Sequence, residues 1–222
     1  MIILRRSFSH LMKYLRYKTS NISRNVCNSG EMSSITFRKS DYIVWMDMEM
    51  TGLNPQENKI LEIACLVTDG NLKTVSNEFQ VVIHQSDEEL TGMDEWNTKH
   101  HRKSGLIDAS RKSTITNNDA ELMMLQFLEK YCPYKTCPLA GNSIYMDRTF
   151  LMAQMPLVHE YLHYRIIDVS SINEIVRRWN RNIYDERPQK CFNHRALSDI
   201  QESIDELDYY RRYMFKPNCN ES

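Results

Sequence analysis

Apolar residues fall into five short runs, separated by polar stretches with helical spacing. Residues 42–47 predict a buried strand ending in acids, and Ile60–Thr68 predicts a second. The Asp69-Gly70 pair then marks a hairpin turn into a third strand over 79–83. The polar stretch 87–105 predicts short helices around Trp96. Residues 120–131 have helical spacing, with Asn118 or Asp119 placed to cap the N-terminus. A fourth strand starts over 138–141, a helix follows over 145–155, and 164–169 predicts a fifth strand. A Ser-capped helix runs from there through Trp179, 181–193 form a loop holding Pro188, and 196–215 form a long final helix. Strands first, then strands alternating with helices, predict an α/β domain. Its mixed five-stranded sheet has an antiparallel hairpin edge, continues into parallel strands and is flanked by helices. The order of the strands is not written in the pattern.

Charge divides the chain. Arg5, Arg6, Lys13, Arg16, Lys18 and Arg24 lie in the first 30 residues, and no acid appears before Glu31. Ser and Asn are frequent there, with apolar residues between the charges, which is the composition of a mitochondrial presequence. A basic arm that binds nucleic acid shares the charge but does not require the missing acids. Residues 1–36 are therefore expected to be presequence and linker, 37–216 the globular domain and 217–222 a flexible tail. The expected compartment is the mitochondrial matrix or intermembrane space, with Met32 as an internal start for a cytoplasmic or nuclear form. Without those six cations the formal charge of −1 becomes −7. A protein that tracks long nucleic acid uses a basic groove. An acidic body points instead to metal ions at the phosphates and a short substrate. Six scattered cysteines with no CxxC pair read as reduced thiols. No apolar run approaches 18 residues, so no membrane span is expected.

Three acidic pieces carry the chemistry. Asp47-Met-Glu49 ends the first strand, and strand alternation puts both carboxylates on one face, where they repel unless a cation sits between them. Alone, such a pair equally describes a solvated strand end. Gly141-Asn-Ser143 turns into a helix carrying Asp147 near its start; alone, that acid simply suits the first helical turn. His194-Arg-Ala-Leu-Ser-Asp199 enters the last helix, where a cap and an exposed acid would be unremarkable. Together, four carboxylates at strand ends and helix starts have the donor set for two Mg²⁺ or Mn²⁺ ions. Two such ions about 3.5–4 Å apart clamp the attacking and leaving oxygens of a phosphoryl displacement. His194 is the candidate base for the attacking water.

In this order the pieces resemble the three motifs of the DEDDh exonuclease superfamily. The sister group has a tyrosine four residues before the last acid, and Arg195 occupies that position here. Several longer stretches resemble the oligoribonuclease family: 45–53, 141–150, 163–170 and 194–200. The similarity spans 41–215. The resemblance implies a ribonuclease H-like fold and 3′→5′ hydrolysis of short RNA, dinucleotides above all, to 5′-mononucleotides. It leaves short DNA open as a substrate. It also implies that Leu53 wedges against the bases and that Trp96 and Tyr164 stack on them, with His101 near the substrate. Ser143, Arg165, Ser170 and the Tyr164 hydroxyl would cap the 5′ phosphate. In a homodimer, Tyr164 and Arg165 would come across the interface. Tyr145-Met146 departs from the small or polar residues usual in the family and is expected to crowd the start of its helix.

Other readings compete. His159-Glu-Tyr-Leu-His163 fits the zincin HExxH pattern, which needs both histidines on one helix and a third ligand. A non-catalytic RNA-binding protein would lack one or more of the acids. A DNA proofreading exonuclease would share the acids and lack the Tyr164, Arg165 and Ser170 cap.

Overall fold

The structure, a computed structural model, describes residues 38–189 and 195–215. The expected presequence, His194 and the tail at 217–222 lie outside those residues. Five strands form one sheet: β1 (Ile43–Met50), β2 (Ile60–Thr68), β3 (Phe79–Val82), β4 (Leu139–Gly141) and β5 (Ile166–Asp168). Their order is β3-β2-β1-β4-β5. The β3-β2-β1 side is antiparallel, and β4 and β5 continue parallel to β1. This is the mixed sheet expected from the sequence, with β1 at its centre. β1 extends three residues past Asp47, which places Glu49 inside the strand. β4 passes so close to β1 that a Cβ on Gly141 would lie 2.8 Å from the Met46 carbonyl oxygen. β5 is shorter than expected, so Tyr164 and Arg165 lead into it instead of pairing.

Nine α-helices surround the sheet among the described residues: α1 (Asp87–Thr91), α2 (Glu95–Lys103), α3 (Leu106–Lys112), α4 (Asn117–Tyr131), α5 (Tyr145–Gln154), α6 (Pro156–Tyr161), α7 (Val169–Trp179), α8 (Arg181–Asp185) and α9 (Ala196–Met214). Three local expectations are corrected. The cap of α4 is Thr116, in a reciprocal box with Asp119, because its oxygen stands three residues before the amide it accepts. α7 is capped by Asp168, whose carboxylate accepts from the Ser170 amide at 3.1 Å, and not by a serine. α8 lies inside the expected loop, capped by Asn180 and closed by an Arg181–Asp185 pair at 3.0 Å. α3 and α6 were not anticipated as helices, although Pro156 at the first position of α6 suits a start there.

The final helix decides where the site forms. Ala196, Ile200, Ile204, Leu207 and Tyr210 make one apolar stripe, packed on Trp45, Ala64 and Leu66 of the sheet. Burying each large side chain contributes about 1.5–3 kcal/mol, so docking rather than intrinsic propensity holds α9. The Trp45 indole N–H donates to Thr68 Oγ1 at 3.0 Å, which satisfies the one polar atom of that ring. A second cluster, Leu61, Leu90, Met93 and Leu106, seats α1 and α3. No helix of the described residues is long and apolar enough to cross a membrane.

Candidate active site

Trp45, Asp47 and Glu49 point to one face of β1 because strand side chains alternate. Trp45 anchors the apolar part of that face under α9. The two acids continue it toward the strand end, where the first turn of α9 delivers Asp199. One carboxylate oxygen from each of Asp47, Glu49 and Asp199 lies within 4.8 Å of the others. Asp147, the third residue of α5, is buried beside them, and its Oδ1 has no hydrogen-bond partner. Its charge is the largest of those acting on Asp47. The three sequence pieces therefore meet, Asp147 standing next to a tight triad of the other three acids.

Burial and mutual repulsion disturb this cluster strongly. Desolvation, then Asp147, Glu49, Asp199 and Glu62, hold the Asp47 carboxyl well above the usual range. Desolvation followed by Asp199, Glu62 and Asp147 pushes Glu49 up to about 8, with Arg195 opposing. Burial raises Asp147 to about 7, partly offset by backbone amides of Asp147 itself and Met48. Such a set is poorly stabilised by itself. An oxygen-only donor set, an orphaned buried carboxylate oxygen and mutual repulsion among the acids all fit a hard divalent cation.

The sequence reading missed Glu62. It is fully buried on β2, directly opposite Glu49 in register, and it is bound by Arg195. An acid within an otherwise apolar strand was the available signal.

The expected substrate residues fall into two groups. His101 is buried on α2 with Nε2 2.9 Å from the Met50 carbonyl oxygen and Nδ1 3.8 Å from Glu49. Leu53 and Trp96 are exposed, and Trp96 stacks on His100 at 3.9 Å between ring centroids. Beyond β4, Ser143 takes a left-handed conformation at φ 50°, donates its amide to Ser170 Oγ at 2.9 Å and sets its own Oγ 3.2 Å away. A cavity of about 360 Å³ opens beside this pair, lined also by Asn142, Asn173 and Arg187. Asn142 links the serines to the acidic helix: it accepts from Ser170 Oγ and donates to Ser203, which in turn donates to the Asp199 carbonyl. Neither Asn142 nor Arg187 stood out in the sequence as a site residue. Tyr164, 73% exposed, and Arg165 lie at the β5 edge, and the Arg165 guanidinium is 5.4 Å from the tyrosine ring. Among the described residues, no hydrogen bond or ion pair joins them to the acids. Of the pair expected to crowd the start of α5, Tyr145 is exposed and Met146 is half-buried.

The zincin reading fails on geometry. α6 ends at Tyr161, two residues before His163, so the two histidines share no helix. His163 Nδ1 accepts from the Arg165 amide, and Glu160 pairs with Lys135. Among the described residues the cluster of Asp47, Glu49 and Asp199 is the group that fits a metal.

A family model described as exonuclease matches residues 44–207. An oligoribonuclease of Corynebacterium glutamicum is 48% identical over 178 residues, covering 80% of this chain and 81% of that one. The mitochondrial oligoribonuclease of Homo sapiens is 43% identical over 199 residues, covering 90% and 84%. Exonuclease I of Methylocaldum szegediense shares the fold, with a TM-score of 0.59 at 13% identity over 78% of this chain and 41% of that one. The mixed sheet, the acidic cluster and the family match together define a metal-dependent exonuclease. Within that class, the chain belongs to the oligoribonuclease family.

Proposed function

We propose that the protein hydrolyses short oligoribonucleotides from the 3′ end, dinucleotides above all, and releases 5′-mononucleotides. The observation that carries this is the convergence of Asp47, Glu49 and Asp199 with buried Asp147 beside them, in a chain of this family. These four would hold two divalent ions, Mg²⁺ or Mn²⁺, which when bound stabilise charge on the attacking and leaving oxygens of an in-line displacement. His194 takes the proton of the attacking water. Leu53, Trp96 and Tyr164 hold the bases by wedging and stacking, worth about 1–3 kcal/mol per stacked base and indifferent to sequence. His101 steadies Glu49 and the adjacent substrate. Ser143, Ser170 and Arg165 close on the 5′ phosphate, so a longer chain has nowhere to pass.

Among the described residues β5 is the outer strand of the sheet, and this edge supports a homodimer. Tyr164 and Ile166 are exposed at it, and Ile175 and Trp179 are exposed on α7, the helix that follows. A second copy packed there would cover them and bring its own Tyr164 and Arg165 to the neighbouring site. The human, cow and mouse relatives are named mitochondrial, and the acid-free basic segment at the N-terminus supports the same destination for residues 1–36.

Single-turnover hydrolysis of 5′-labelled RNA of two to about ten nucleotides, with Mg²⁺ and with EDTA, tests the reading. Metal-dependent cleavage fastest on the dinucleotide is expected. Cleavage that improves with length would reject the phosphate cap, and no cleavage by folded protein would reject the enzyme. His194→Ala is expected to lower kcat by about 10²–10⁴ with the fold intact. Wild-type turnover in that variant would remove His194 from the mechanism.

A further inference from the structure

We infer that Glu62 is a positioning residue for the metal site, acting through Arg195 on the first turn of α9. The inference rests on the functional reading above and deepens it. Glu62 is 0% exposed, between buried Leu61 and Ile63. A carboxylate in such a place is costly unless charged and hydrogen-bonded partners surround it.

Four donors do so. Arg195 approaches with two nitrogens, Nη2 to Oε1 at 2.9 Å and Nε to Oε2 at 3.3 Å. The Ala196 amide donates to Oε2 at 3.3 Å, and Gln80 Nε2 donates to Oε1 at 2.9 Å. Both oxygens are thereby engaged, which separates Glu62 from the acids left to hold ions.

Arg195 is the N-cap residue of α9 and makes no side-chain cap of its own, and Ala196 is its first helical residue. Glu62 supplies from β2 the acceptor that a local cap would give, and its charge suits a helix N-terminus. Asp199 stands one turn further along. The clamp thus ties the start of α9 to the strand pair that carries Asp47 and Glu49, since Glu62 pairs with Glu49 across the strands. Arg195, at the start of the helix, completes that clamp.

Arg195→Ala, Glu62→Gln and the double variant test this by calorimetric Mn²⁺ binding, amide hydrogen exchange and dinucleotide turnover. Residues that hold ligands in place typically cost about 10- to 100-fold in metal affinity when removed. Each single variant is expected to lose that much, the double variant no more than the worse single, and Arg195→Lys to recover part of it. Amides at 196–200 should exchange faster, while those at 204–210 should not. Mn²⁺ affinity equal to wild type would overturn the inference, whatever the change in melting temperature. If Glu62→Gln fails to fold, Arg195→Ala, whose side chain is 41% exposed, decides the question. A wild-type protein that binds Mn²⁺ but does not cleave short RNA would reject the functional reading and leave this comparison standing. A wild-type protein that binds no Mn²⁺ would reject both.

Discussion

Asp47→Asn is expected to lower turnover of a dinucleotide by about 10³-fold or more. Asp47 stands at the centre of the cluster, where Asp147, Glu49, Asp199 and Glu62 all act on it. Metal ions supply several kcal/mol of charge stabilisation in such displacements, and about 1.36 kcal/mol is a factor of ten. The same substitution should spare the metal-free fold. Burial, and then the neighbouring acids, raise the Asp47 carboxyl and so disfavour its charged form without a cation, and asparagine is neutral and close in shape. Melting in EDTA should therefore match or exceed wild type. Turnover within about tenfold of wild type would exclude Asp47 as a ligand, and a lower melting temperature in EDTA would assign the loss to damaged structure.

Metal and pH should act on stability together. In the unfolded chain Asp and Glu titrate near 4, whereas in the folded protein Asp147 is raised to about 7 and Glu49 to about 8. Between those values the folded state holds protons that the unfolded state has released. Their contribution to stability is thus fully present below about pH 4 and is lost as pH rises through about 7 to 8. EDTA-treated protein is expected to melt progressively lower across that window. Ions take the place of the protons, so added Mn²⁺ should stabilise more at about pH 8 than at about pH 6. At 100 times Kd the gain is about 2.7 kcal/mol, or about 5–10 °C for a domain of this size. Melting curves of wild type and Glu49→Gln, with EDTA and with Mn²⁺, isolate the effect. A metal-induced gain that is the same at every pH would contradict the raised carboxyl groups.

The strands were legible because apolar runs and the Asp69-Gly70 turn are local signals, and Ile60–Thr68 matches at both ends. Sheet order was not, since hydrophobic patterning says which residues are buried but not beside which strand. The helices that escaped notice, α3, α6 and α8, have between five and seven residues, too few for a periodic stripe to show. Caps were misplaced by a few residues at Thr116 and Asp168 because several polar side chains in a row could each serve, and only backbone direction selects one. At the site, Asp47, Glu49, Asp147 and Asp199 could be read together because their order and spacing were informative. Glu62 showed only as a lone acid in an apolar strand, because its role depends on Arg195, 133 residues away in the chain. Asn142 likewise matters through Ser203 and Ser170, both distant in sequence.

The docking of α9 also sets a timetable. Every strand of the sheet is complete by Asp168, yet the acidic triad waits for Asp199. At about 5–20 residues per second a ribosome needs roughly two to six seconds to travel from Asp168 to Asp199. Throughout that interval every strand segment has been made and the third carboxylate of the triad has not. A product truncated before Ala196 would contain all five strand segments but lack both the Asp199 carboxylate and the apolar stripe that packs on Trp45, Ala64 and Leu66.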